Sequence, residues 1–116
     1  MTKLTMVLAQ SPQSPDGDVT HRLNVHLRLT SQGQIDLHAW ETDPAPWLAT
    51  RERPGYAPRR GEVIRLDEGW ALQSLSSEDD PLWSFEGHLF RPGELVRVGR
   101  PNGEELLFRI VAADPD

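Results

Sequence analysis

VRVGRPNGEELLF, residues 96–108, sets two alternating apolar runs either side of a proline, an asparagine and a glycine. A three-residue hairpin loop is a type I turn followed by a left-handed residue, usually glycine, that forms a bulge. Pro101 suits the first corner because its φ is already set, and Gly103 suits the left-handed position. This loop type dictates register. Val98 should meet Leu106, Val96 should meet Phe108, and Ile110 should continue the same face.

Two further stretches have the same form. In LRLTSQGQIDL, residues 27–37, the turn ends at Gly33. Thr30 then pairs with Gln34, and Leu29, Leu27 and Val25 face Ile35, Leu37 and Ala39. The opposite face sets Arg28 against Asp36 and His26 against His38, as a half-buried antiparallel pair requires. In VIRLDEGWALQ, residues 63–73, Gly69 ends the turn, so Leu66 should meet Trp70 and Ile64 should meet Leu72. RRGEVIRL (59–66) and RPGELVRV (91–98) are similar in form, but two copies are too few for a repeat array.

Residues 4–10 read as a first strand, joined by the polar SPQSPDGD to a second over 19–30. SSEDDP (76–81) suggests a helical turn over 78–82 capped by Ser76 or Ser77, followed by a strand over 83–90. The sum is about eight short strands and no long amphipathic helix. The expected fold is a single all-β domain over residues 1–116, a small antiparallel barrel or two-sheet sandwich.

Composition narrows the function classes. A chain of 116 residues can bury a core without staples, and the absence of cysteine removes disulfides, thiolate metal sites and cysteine catalysis. The N-terminal apolar run is too short and too broken for a secretory signal, and no segment approaches a membrane span. The expected location is therefore the cytoplasm, with no membrane partner. A net charge of -6 repels phosphate backbones, so no nucleic-acid partner is expected. Lys3 is the only lysine. The arginine bias is what a GC-rich bacterial genome would supply, or what selection for planar, bidentate contacts would favour.

HAWETDPAPWLATRERPGYAPRRGE, residues 38–62, interrupts this alternation. Prolines at 44, 46, 54 and 58 argue against a helix or a central strand, while Trp40, Trp47 and Tyr56 argue against disorder. The expectation is a long ordered loop at about 41–61, pinned by those aromatics. It should cover apolar surface near the last hairpin, whose outer face carries Leu95, Leu107 and Val111. Arg51, Arg53, Arg59 and Arg60 make the loop locally basic. Trp, Tyr and Arg are enriched in interface hot spots, so the first expectation is a non-enzymatic interaction module. It would use residues 43–60 and the outer face of the C-terminal hairpin to bind a protein partner or a second copy.

The alternative is an anionic small molecule held in a barrel mouth rimmed by Trp40, Trp47, Tyr56 and the neighbouring arginines. A third expectation is a metal-assisted enzyme at His26 and His38 with Asp36 alongside, although two imidazoles placed by an inferred register make a weak metal site. His21 alternates with the apolar positions of its strand and reads as an inner or strand-end histidine. The chain has no Gly-rich phosphate loop, nucleophile elbow or zinc-protease helix, so no catalytic residue and no cofactor are assigned.

Overall fold

The computed structural model describes residues 1–67, 69–75, 82–100 and 103–115. Eight strands follow one another around a closed antiparallel barrel. They are β1 (Thr2–Gln10), β2 (Asp18–Leu27), β3 (Leu48–Glu52), β4 (Arg59–Leu66), β5 (Gly69–Ser74), β6 (Trp83–Glu86), β7 (Leu95–Gly99) and β8 (Glu105–Pro115). A six-residue helix, α1 (Leu37–Thr42), lies between β2 and β3. Each strand pairs with its sequence neighbour, and β1 closes the ring on β8 from Thr2↔Pro115 to Gln10↔Leu107. β1 carries the irregularities that bend the sheet shut, with register shifts at Thr5/Met6 and Leu8/Gln10 against β8 and at Val7/Leu8 against β2.

Alternation gives the core. Leu4, Met6 and Leu8 of β1, Leu23, Val25 and Leu27 of β2, and Leu106, Phe108 and Ile110 of β8 point inward and are buried. The last hairpin has the expected register, with Val98 against Leu106 and Val96 against Phe108. Gly103 takes φ +87, and its N–H donates to Arg100 O. Pro101 itself lies outside the described residues, as does most of the helical turn expected at 78–82. The strand that follows is shorter than expected, Trp83–Glu86.

The first hairpin is only partly as expected. Gly33 is left-handed at φ +82, Thr30 N–H donates to Gln34 O, and Leu29 bridges Ile35. The ladder stops after Asp36 N–H donates to Arg28 O. Asp36 then turns the chain into α1 by accepting the Ala39 N–H on its side chain at 3.0 Å, a helix N-cap. His38 is thus helical, and His26 pairs with Lys3 of β1. The expected His26–His38 pair is not formed.

The strand expected to return beside β2 is supplied instead by β3, which pairs Val25 with Ala49 and Arg22 with Glu52. Residues 41–61 are therefore no irregular loop. They contain the end of α1, a full barrel strand and the start of β4. Pro44 and Pro46 precede β3, and Pro54 and Pro58 follow it, so the prolines bracket the strand without interrupting its ladder.

The second hairpin is displaced by one residue from expectation. Leu66 pairs with Gly69, Ile64 with Ala71 and Val63 with Leu72. Asp67, not Gly69, adopts positive φ, at +42. Val63, Ile64 and Leu66 offer apolar side chains to both faces of β4, so hydrophobic pattern alone leaves this register open.

Candidate functional site

The two ends of the barrel differ. One end is sealed by the segment from Arg28 to Trp47. Trp47 is 1% exposed and stacks on Trp70 with ring centroids 6.4 Å apart, and Trp40 meets Trp70 edge-on at 5.7 Å. Trp40 Nε1 donates to Val63 O at 3.1 Å. Asp43 accepts from Trp47 Nε1 at 3.0 Å and from Arg28 Nε at 3.1 Å, and these bonds hold its carboxyl below the usual carboxylate range. Phe90 completes the seal, its N–H donating to Gly33 O.

The other end opens into a cavity of about 450 Å³. An eight-stranded barrel is just wide enough for side chains to fill it or for one small ligand to occupy it. The sequence makes this choice locally. Ala49, Gly61 and Ser74 are successive cross-strand partners on β3, β4 and β5, and all three line the cavity. This row of small side chains leaves the interior unfilled. β4 and β5 also approach closely there, since a Cβ on Gly61 would stand 2.9 Å from Gln73 O.

Leu23, Leu72, Val98 and Phe108 give the cavity an apolar wall, and Trp83 forms part of it. Above the row come five arginines. Arg51, Arg53, Arg59 and Arg60 belong to the β3–β4 hairpin, and Arg100 comes from the far wall at the end of β7. The described lining contains no aspartate or glutamate. Arg51 and Arg59 are direct cross-strand partners, which sets two cations side by side at the mouth. The guanidinium groups of Arg51 and Arg100 lie 4.2 and 4.4 Å from the Trp83 ring centroid, within cation–π range. Arg100 also pairs with Glu104 at 3.2 Å, and its buried Nε has no hydrogen-bond partner among the described residues. Arg53 lies over Tyr56 at 4.2 Å.

His21 records the field of these cations. It is 8% exposed, meets Phe108 edge-on, and accepts a hydrogen bond on Nε2 from Arg51 Nε at 3.2 Å. That bond requires the neutral ring with its proton on Nδ1. Burial, then the positive charges of Arg51 and Arg53, lower its pKa to about 4, with Arg100 adding to the shift and Asp18 opposing it.

The structure thus separates residues that the sequence had grouped. Arg51, Arg53, Arg59 and Arg60 stand at the open mouth, and Tyr56 is 64% exposed beside it. Trp40 and Trp47 belong to the sealed end. The outer face of β7–β8 is not covered by residues 43–60, since Leu95 and Val111 remain 46% and 49% exposed. No group of three or more metal-ligating side chains forms among the described residues; Asp36 is spent on the helix cap. Trp83 and Arg100 were not singled out from sequence. Alternation could have found them, because Trp83 is two residues from inward Phe85 and Arg100 two from inward Val98. No helix among the described residues is long and apolar enough to cross a membrane.

Fold and site together define a closed eight-stranded barrel with one sealed end and one arginine-lined mouth. Comparison with protein-family models, curated proteins and solved structures gave no match.

Proposed function

We propose that this protein binds a small anionic molecule in the open mouth of its barrel. The observation that carries this reading is the convergence of five arginines on one cavity, with no acidic side chain in its described lining, in a chain of net charge -6. Guanidinium groups match carboxylate and phosphate oxygens in bidentate geometry, so an anion entering the mouth would meet donors suited to it. The cavity volume falls in the range of small-molecule sites. The protein-partner reading uses residues 43–60 and the outer face of the C-terminal hairpin; β3 and the start of β4 take 48–52 and 59–60 of that segment into the barrel wall, while Leu95 and Val111 stay exposed.

The test is calorimetric titration with phosphate, pyrophosphate, citrate and octanoate at constant ionic strength. At least one should bind with one-to-one stoichiometry, and the double variant Arg51→Gln/Arg100→Gln should weaken it about tenfold or more, the scale of one to two charge-assisted hydrogen bonds. Equal heats for the native protein and the variant across the whole panel would overturn the reading.

A further inference from the structure

Resting on that reading, we infer that the ligand is an amphiphilic organic acid that enters apolar end first and leaves its carboxylate or phosphate head among the arginines. The layering of the cavity carries this inference. Along β3 the inner position one step deeper than Arg51 is Ala49, and along β7 the position one step deeper than Arg100 is Val98. On β5 Leu72 likewise lies one step deeper than Ser74, and Leu23, the cross-strand partner of Arg51, adds apolar wall beside it. Arg59 and Arg60, by contrast, are exposed at the rim.

Charge and apolar surface are therefore stacked along one axis, and they constrain the two ends of the ligand separately. An anionic head carried down to Leu72 and Val98 would lose its hydration without meeting a donor, a cost of several kcal/mol. An apolar body left at the rim would stay in water and gain nothing. A small inorganic anion would satisfy the rim but leave the deeper apolar walls wet. A molecule with an apolar body and one anionic end satisfies both layers. The row Ala49–Gly61–Ser74 provides the room for its body, because larger inner residues there would fill the space. Stacked guanidinium groups on Trp83 hold two of the head's prospective partners in place at the boundary between layers.

The experiment is a titration of the native protein with straight-chain carboxylates from acetate through butyrate, hexanoate and octanoate to decanoate, with pyrophosphate as the head-only probe. Affinity should rise by up to about fourfold for each methylene that becomes buried, until the chain outgrows the cavity. Ala49→Leu, which fills the deeper layer, should weaken octanoate about tenfold or more and leave pyrophosphate within about twofold. As a measurement independent of that variant, nuclear Overhauser contacts from the terminal methyl of bound octanoate should reach the methyls of Leu72 or Val98. Two results would overturn the inference while leaving anion binding intact: arginine-dependent pyrophosphate binding with no dependence on chain length, or a bound octanoate whose terminal methyl contacts only rim residues. A panel in which no anion binds in an arginine-dependent way would overturn both readings together.

Discussion

The sealed and open ends of this barrel are built from the same alternating strands, and they solve opposite problems. At the sealed end, large side chains meet: Trp40, Trp47, Trp70 and Phe90 fill the interior, and the indole N–H groups of Trp40 and Trp47 donate to Val63 O and Asp43. At the open end, small inner residues leave a cavity and arginines crowd its rim. One end contributes stability through burial. The other retains like charges side by side and a histidine held neutral by burial and by its cationic neighbours. Residues that function by meeting something outside the fold are often those that the fold itself would not favour.

The largest effect that should separate the ends is Trp47→Ala. Removing this side chain opens a void under α1 and leaves an Asp43 oxygen without its indole donor, so unfolding free energy should drop by about 3–5 kcal/mol. Denaturant melts followed by circular dichroism would measure it. A loss below about 1 kcal/mol would show that the seal is not packed as described.

pH acts at the other end. His21 has a folded-state pKa of about 4, below the roughly 6.5 of an unfolded histidine. Between those values the unfolded chain binds more protons than the folded one. Stability present above about pH 6.5 is therefore lost progressively as pH falls toward 4, by up to about 3 kcal/mol. His21→Gln, which keeps an acceptor for Arg51 but does not titrate, should flatten this part of the pH profile. An identical slope in the variant would place the proton uptake elsewhere.

The smallest effect sharpens the contrast most. Arg59→Gln removes one of two directly opposed cations at the exposed rim, so stability should change by less than about 1 kcal/mol, the scale of an exposed charge contact. Thermal melts at two ionic strengths would measure it, and a loss well above about 1 kcal/mol would mean that Arg59 supports the fold through its own contacts.

The sequence by itself determined the all-β class, the approximate strand number and the full register of the last hairpin. These are local matters: a turn such as Pro101-Asn102-Gly103 and a period-two pattern depend on residues close in the chain. It also placed Gly33 correctly in its turn. The count of eight strands survived an exchange, since the strand expected after Gly33 is helix α1 and the missing one is β3. That exchange could not be seen locally. Asp36 can serve as a strand residue or as a helix cap, and only Trp40 and Trp47 packing on Trp70, with Trp40 bonded to Val63 O, selects the cap. LATRE, residues 48–52, carries one buried small residue and three charges or hydroxyls, too weak a pattern to announce a central strand until β2 and β4 flank it. The site depended on tertiary structure most of all. Arg51 and Arg100 are 49 positions apart in the chain (100 − 51) and lie over one tryptophan ring only because β1 closes on β8 and brings every inner face around a single cavity.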